Sequence, residues 1–196
     1  MMNVIAFPSW DTRLTLIING WHSPWWDRVM LTLTNGMTWM PLFLLIVWFL
    51  WRKLGVRGLY VILFAGITLS LCDMFCADVI KPFFTRIRPS REPVLANLIH
   101  VAAGRGGRYG FVSNHAATAF CLALIVTWSL GRHVVSWLMW PWAILFSYTR
   151  IYIGKHYLLD ILGGMVVGML FAVCCMIGLS FFARWLQARK RRTCAK

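Results

Sequence analysis

The chain has 196 residues, of which 60% are hydrophobic, and its mean hydropathy is +0.67. Soluble globular proteins carry far fewer apolar residues, so the composition predicts a single integral membrane domain over residues 1–196. The net charge of +14 comes from basic groups dispersed among apolar segments, a pattern that suits anionic phospholipid headgroups and disfavours a nucleic-acid-binding face.

The N-terminal segment, residues 1–26, alternates aromatic, apolar and polar groups. It never reaches the roughly 18 consecutive apolar residues that a spanning helix needs. It therefore predicts an amphipathic helix that lies in the membrane interface. We expect no cleavable signal peptide, because no basic stretch precedes a continuous apolar core.

Five apolar segments follow and predict an all-α helical bundle with about five transmembrane helices. Their expected ranges are 29–51, 58–80, 114–131, 134–153 and 158–183. Pro41 is expected to kink the first segment, whereas Gly163, Gly164 and Gly168 in the fifth should permit close helix packing. The last residues, 184–196, form a basic tail.

Two acidic residues lie near the end of the second segment. Asp78 is three residues from Lys81 and could pair with it, while Asp73 lies deeper and needs a partner from another helix. We interpret both as structural.

A loop rich in Arg, Gly and Pro, residues 82–113, joins the second and third segments. Connections of this length in compact proteins are usually functional. Lys81 ends the second segment, His115 begins the third, Arg150 ends the fourth and His156 precedes the fifth. These four residues are therefore expected at one membrane face.

The stretch RIYIGKHYLLD, residues 150–160, places a histidine and an aspartate four residues apart. On a helix the Asp160 carboxylate could then hold one imidazole nitrogen of His156, which becomes a candidate nucleophile or base. Taken alone, the stretch also fits a snorkelling arginine, a loop histidine and a helix N-terminal carboxylate. Convergence of the charged groups on one face favours the functional interpretation.

The same face suits a phosphate. Lys81, Arg88 and Arg150 are cations, and arginine offers paired donors to phosphate oxygens. Residues 113–115, a Ser-Asn-His run, lie where the loop becomes a helix, so their backbone N–H groups also favour an anion. Two histidines could divide nucleophilic attack and leaving-group protonation.

Metal catalysis is the competing chemistry. A two-metal phosphatase needs several convergent carboxylates, and only Asp160, Asp78 and Glu92 are expected near this face. The sequence therefore predicts neither a metal nor another cofactor.

Three motifs in order resemble those of the type 2 phosphatidic acid phosphatase superfamily. They are KPFFTRIRP at 81–89, VSNH at 112–115 and RIYIGKHYLLD at 150–160. The second departs from the usual Pro-Ser-Gly-His, with Val112 for the proline and Asn114 for the glycine. The departure concerns loop shape and substrate fit more than the reaction.

The resemblance implies a metal-independent lipid phosphatase with a helical-bundle core and a covalent phosphohistidine. His156 would be the nucleophile, Asp160 its orienting partner and His115 the general acid. The phosphate would be bound by Lys81, Arg88, Ser113, Asn114 and Arg150, with backbone amides of residues 114 and 115 contributing.

Two alternatives of other classes stay open, a small membrane transporter and a non-catalytic lipid-phosphate-binding protein. Cations collect on the face opposite the motifs, which predicts a cytoplasmic C-terminal tail and an active site facing the periplasm or exterior of a bacterial-type inner membrane. Such a site would act on a lipid-linked phosphate. The sequence does not predict an oligomeric state.

Undecaprenyl pyrophosphate is the substrate expected first, because the arginine-rich loop has room for a second phosphate. Phosphatidylglycerol phosphate, phosphatidic acid and a lipid A phosphate follow. The loop arginines considered for the second phosphate are Arg86, Arg91, Arg105 and Arg108, which could equally be solvated.

Overall fold

A computed structural model describes residues 7–194 of the chain, with side chains to residue 189. Its α-helices, in chain order, are α1 Ser9–Gly20, α2 Pro24–Thr34, α3 Met40–Leu54, α4 Val56–Met74, α5 Lys81–Phe84, α6 Asn114–Leu130, α7 Val134–Tyr152 and α8 Leu158–Cys194. Short 3-10 and π-helical segments lie between some of them.

Within the described residues, three helical segments are long and apolar enough to cross a membrane. They are Gly36–Leu54, Val56–Phe84 and Leu158–Arg189. The α6 helix is apolar but has 17 residues, and α7 has 19. The all-α membrane bundle is therefore confirmed, while the count of five crossings stays a prediction.

The N-terminal region differs from its prediction, because two helices replace one. Residues 1–6 lie outside the described range, α1 ends at Gly20, and Ser23 Oγ caps α2 by accepting from Trp26 N at 3.4 Å. The α1 helix buries polar side chains, Asp11, Thr15 and Asn19. Its apolar side chains Trp10, Leu14, Ile17 and the following Trp21 are exposed. The helix thus buries its polar face and exposes its apolar face, which is the reverse of a surface helix in a soluble protein.

The first predicted span is also wrong in its bounds, since α2 ends at Thr34. Asn35 Oδ1 accepts from Met37 N at 3.1 Å, which starts a 3-10 turn over Gly36–Trp39. Pro41 then falls in the first turn of α3, where its missing N–H costs no helical hydrogen bond. It begins a helix instead of kinking one.

The second span is longer than predicted and continues past Pro82. A π-helical segment, Phe75–Ile80, joins α4 to α5 and changes the backbone hydrogen-bond pattern just before the proline. The structure shows no ion pair between Asp78 and Lys81 among the described residues, so that predicted contact is not made.

The core surrounds α6, which packs most extensively against α8 and then α7. Glycines on α8 allow this, as predicted. A Cβ at Gly168 would lie 2.0 Å from the Ala117 carbonyl oxygen, and one at Gly164 would lie 2.5 Å from the Ser113 carbonyl oxygen. The close approach fixes the first turn of α6 against the second and third turns of α8.

The α8 helix has 37 residues and runs through most of the predicted basic tail. At about 1.5 Å per residue it is roughly 55 Å long, which exceeds a hydrocarbon thickness of about 30 Å. Its C-terminal turns therefore extend the bundle beyond the apolar layer at the end opposite His156.

Candidate active site

His156 and Asp160 form a buried pair at the turn between α7 and α8. His156 Nδ1 lies 3.3 Å from Asp160 Oδ2, and both side chains are almost entirely inaccessible to solvent. The same oxygen accepts from Tyr157 N at 3.0 Å. An ionised carboxylate accepts only, so Nδ1 carries the hydrogen and Nε2 keeps a lone pair.

The other oxygen of Asp160 is held by Arg86. Arg86 Nη1 donates to Asp160 Oδ1 at 2.7 Å, and Arg86 Nη2 donates to Asp11 Oδ2. The guanidinium lies between two aromatic rings, 3.8 Å from the Phe7 centroid and 3.9 Å from the Tyr157 centroid. Arg86 is thus a buried structural cation, and its interpretation as a solvated or pyrophosphate-binding loop residue is wrong.

Helix α1 also fixes the two helix ends that carry the site. Asp11 Oδ1 accepts from Leu159 N at 2.9 Å and Thr15 Oγ1 accepts from Leu158 N at 3.1 Å, which satisfies first-turn amides of α8. Asn19 Nδ2 donates to the Tyr152 carbonyl at 2.7 Å, at the end of α7. The buried polar stripe of α1 therefore holds the turn containing His156.

Arg150 lies at the C-terminal end of α7, where it is buried. Its Nη1 donates to Thr34 Oγ1 at 2.6 Å, and Thr149 Oγ1 donates to the same hydroxyl oxygen at 3.0 Å. Arg150 Nε is buried and has no acceptor among the described residues. Buried N–H groups are normally paired, so an oxygen of a bound phosphate would complete the hydrogen bonding here.

Further cations surround this arginine. Arg88 Nε donates to the Tyr109 carbonyl at 3.0 Å, which directs its guanidinium along the loop. Lys155 precedes His156 and lies within electrostatic range of Arg88 and Arg150. The charged groups near His115 include Arg150, His156, Lys81 and Lys155. The structure therefore brings the predicted cations and both histidines to one end of the bundle.

The start of α6 is built as a helix N-terminus facing these cations. Ser113 Oγ caps the helix by accepting from Ala116 N at 3.4 Å, and Ser113 N donates to the Asp160 carbonyl at 2.9 Å. The first-turn amides of Asn114 and His115 have no acceptor within the helix. The Asn114 side chain turns aside, since Nδ2 donates to Asp73 Oδ1 at 2.7 Å. Asp73 thus has the interhelical partner that the sequence required.

Burial lowers the pKa values of two side chains in the α7–α8 turn, His156 and Lys155. It lowers the pKa of His156 to about 4, although the hydrogen bond and charge of Asp160 oppose the shift. It also lowers the pKa of Lys155, with the charges of Arg150 and Arg88 adding to the effect. The imidazole of His156 is therefore neutral at pH 7, as a nucleophile must be.

The loop after α5 folds over the site. Ile87 and Tyr109 form an antiparallel bridge, and Ser90 N donates to the Gly154 carbonyl at 3.1 Å. Gly154 has φ +73°, and a Cβ there would lie 2.7 Å from the His100 carbonyl oxygen. Glycine is thus required where the loop meets the α7–α8 turn. Among the described residues, no cluster of His, Cys, Asp or Glu has the arrangement of a metal site.

A family model described as the PAP2 superfamily matches residues 58–184, which include all three motifs. The chain belongs to the PAP2 superfamily. A lipid A 4'-phosphatase of Bacteroides thetaiotaomicron is 36% identical over 81% of this chain and 72% of its own length. A lipid A 4'-phosphatase of Porphyromonas gingivalis is 30% identical over 92% of this chain and 75% of its own length.

The fold of this PAP2 protein matches that of a crystal structure of LpxE from Aquifex aeolicus. The TM-score is 0.65 at 23% identity, and the match covers 88% of this chain and 98% of that one. The likeness confirms the fold predicted from the motifs.

Sequence analysis of this PAP2 protein missed three contributors to the site. Asp11 and Thr34 precede the matched region, and Lys155 lies inside the third motif but is not one of its defining residues. One signal was available for Asp11, since an acidic residue among the apolar and aromatic residues of the N-terminal segment needs a partner. Nothing in the sequence identified Arg86 as that partner, because the two residues are 75 positions apart.

Proposed function

We propose that this chain removes the phosphate from a lipid-linked phosphate monoester, without a metal, through a phosphohistidine at His156. Membership in the PAP2 superfamily and relatives named as lipid phosphatases support a phosphatase that acts on membrane lipids. The course of the reaction and the identity of the lipid are the proposal.

The observation that carries the mechanism is the pairing of His156 with Asp160. With Nδ1 directed to the carboxylate, the Nε2 lone pair attacks phosphorus as the bond from phosphorus to the lipid oxygen breaks. His115 donates a proton to that oxygen, so the lipid leaves as an alcohol. Water, deprotonated by His115, then attacks phosphorus, and the P–N bond breaks to release inorganic phosphate and restore His156.

The cations stabilise charge that develops on the phosphoryl oxygens. Arg150 is held rigidly by Thr34 and has a buried N–H without an acceptor among the described residues. Arg88 and Lys81 add charge, and the first-turn amides of α6 add directed donors. Of the predicted phosphate ligands, Ser113 serves partly as the helix cap, and Asn114 contributes through its backbone.

A lipid A phosphate is the substrate that the comparisons favour, because the Bacteroides and Porphyromonas relatives are both named lipid A 4'-phosphatases. Undecaprenyl pyrophosphate, expected first from the arginine-rich loop, is the second candidate. Its argument weakens because Arg86 is committed to Asp11 and Asp160. We further propose that the site faces the exterior and the C-terminal end of α8 faces the cytoplasm.

The test is to trap the intermediate. Wild-type protein mixed with a ³²P-labelled lipid A phosphate and denatured in alkali should retain label as phosphohistidine, which is stable to base and labile to acid. The variant His156→Ala should retain none and should not release phosphate. Its matched control is His133→Ala, which changes the histidine near the opposite end of the bundle. Turnover by folded His156→Ala above a few per cent of wild type would contradict the nucleophile assignment.

A further inference from the structure

A cavity of about 350 Å³ lies beside His115, between α3, α4, α6 and α7. Its apolar wall includes Phe43, Leu69, Trp142 and Phe146. Its polar edge is formed by Asp73 and Asn114, immediately next to His115. The cavity therefore combines an apolar interior suited to an acyl chain with a polar rim near the reacting atoms.

The polar rim is a defined pair of side chains. Asn114 Nδ2 donates to Asp73 Oδ1 at 2.7 Å and approaches the Asp73 carbonyl at 3.2 Å. Asn114 Oδ1 is buried and has no donor among the described residues. Asp73 is exposed near the C-terminal end of α4, and its carboxylate accepts from the Asn114 amide. Both residues line the cavity, and Asn114 Oδ1 is an acceptor that no described residue satisfies.

The reaction assigns this cavity to one part of the substrate. On the proposed mechanism, phosphorus lies between His156 and the leaving oxygen that His115 protonates. The cations and the α7–α8 turn lie on the phosphate side. The space beyond His115 must therefore hold the leaving alcohol, and Asp73 and Asn114 would be the first polar groups that it meets.

We propose that Asp73 and Asn114 form a leaving-group subsite for the sugar of an acylated glycolipid. The subsite rests on the proposed phosphatase function and deepens it. Both side chains offer oxygen acceptors, which suit hydroxyl or amide N–H groups of a sugar. The apolar wall suits the attached acyl chains.

The charge of the subsite also disfavours one class of substrate, the lipid diphosphates. When a lipid diphosphate is cleaved at its terminal phosphate, the leaving group is itself a phosphate. That anion would lie against the Asp73 carboxylate in a region of low dielectric constant, where like charges repel strongly. The geometry thus favours phosphate monoesters of neutral sugars over prenyl diphosphates. The residues responsible are Asn114, which replaces the usual motif glycine, and its acidic partner Asp73.

The test compares two substrates in detergent micelles, a lipid A-type acylated disaccharide phosphate and undecaprenyl pyrophosphate. The variants are Asp73→Asn and Asn114→Gly, and folding is checked by thermal unfolding. Removing the carboxylate should raise kcat/KM for the diphosphate relative to the glycolipid by about tenfold or more. Asn114→Gly, which removes the amide and releases Asp73, should lower kcat/KM for the glycolipid more than for the diphosphate.

Asp78→Asn is the matched control, because Asp78 is an exposed acid on the same span that does not line the cavity. Its substrate ratio should equal that of wild type. If wild-type protein releases phosphate and both rim variants keep its ratio of kcat/KM values for the two substrates, the subsite alone is refuted. A wild-type protein that hydrolyses neither lipid would refute the proposed function, and the subsite with it. If Asp73→Asn does not fold, Asn114→Gly decides between these outcomes.

Discussion

Arg86 Nη1 lies 2.7 Å from Asp160 Oδ1, while the other oxygen of the same carboxylate lies 3.3 Å from His156 Nδ1. Arg86 is in turn paired with Asp11, so one guanidinium joins two buried carboxylates. A carboxylate fixed on both oxygens holds the imidazole in one orientation. Arg86 and Asp11 are therefore positioning residues for His156, the proposed nucleophile.

Replacing Arg86 should impair turnover more than substrate binding. In Arg86→Lys a single ammonium cannot bind the Asp160 and Asp11 carboxylates as the two guanidinium nitrogens do. We therefore expect kcat to fall by about 10- to 100-fold while KM changes little. Asp11→Asn should show the same pattern with a smaller loss. Steady-state kinetics together with thermal unfolding would check this.

The matched control for α1 is Thr15→Val. Thr15 accepts from Leu158 N but does not contact the carboxylates. This variant should lower stability by about 1 kcal/mol through loss of a cap and lower kcat much less than Arg86→Lys does, because the two carboxylates keep their partners. A kcat for folded Arg86→Lys within twofold of wild type would contradict the positioning role.

The imidazole of His156 should titrate far below an ordinary histidine. Burial lowers its pKa to about 4, so it stays neutral as the pH falls from 7 to 5. The unfolded chain binds this proton near pH 6.5, and the folded state is therefore destabilised as the pH falls from about 6.5 towards 4. ¹⁵N NMR of histidine-labelled protein, with His156→Gln for assignment, should show a midpoint near 4. A midpoint near 6.5 would contradict the buried, neutral state.

The loss of kcat/KM on replacing His115 should increase with the basicity of the leaving group. His115→Ala should cost about 10²- to 10⁴-fold on a lipid phosphate, whose alkoxide needs a proton, and much less on p-nitrophenyl phosphate. Parallel kcat/KM measurements on the two substrates would show the difference. Equal losses on both would remove His115 from the role of general acid.

Hydrolysis should persist in excess EDTA, because the proposed mechanism stabilises the phosphoryl charge with arginine and lysine. Vanadate should inhibit competitively, since its trigonal-bipyramidal form resembles the transition state of phosphoryl transfer. Phosphate release measured with and without chelator would test both points. Loss of activity in EDTA that is restored by a divalent cation would support the metal-dependent alternative.

The orientation in the membrane can be read from single cysteines. Gly107→Cys in the loop over the site should react with a membrane-impermeant thiol reagent in intact cells, and Arg132→Cys at the opposite end should react only after permeabilisation. Gly107 is preferable to its neighbour Gly106, which has φ +68° and would place a Cβ 3.1 Å from Arg88 Nη1. The reverse labelling pattern would invert the proposed topology without affecting the chemistry.

Much of the site could be predicted because its chemistry is local in sequence. His156 and Asp160 are four residues apart, and helix periodicity alone brings them together. The shared membrane face of Lys81, His115 and Arg150 follows from counting spans. Asp73 could be predicted to need an interhelical partner, although the identity of that partner could not.

The rest depends on tertiary contacts that leave no local pattern. The amphipathic signal of residues 1–26 is the same whether the polar face meets water or a buried arginine, so α1 could be recognised as a helix but not oriented. The basic residues after 183 lower the mean hydropathy, yet they are good helix formers, and α8 continues through them. The break at Asn35 reflects a side-chain cap that competes with an otherwise continuous apolar run.

The reversed amphipathic helix α1 has a consequence for biosynthesis. It is synthesised before its partners, because the amides and the arginine that its polar stripe binds belong to the start of α8 and to the loop before α6. During translation the partners of Asp11 are therefore synthesised 75 to 148 residues after it. His156 acquires its fixed geometry only when α1 meets the start of α8, so a nascent chain that stops before α8 carries no assembled site.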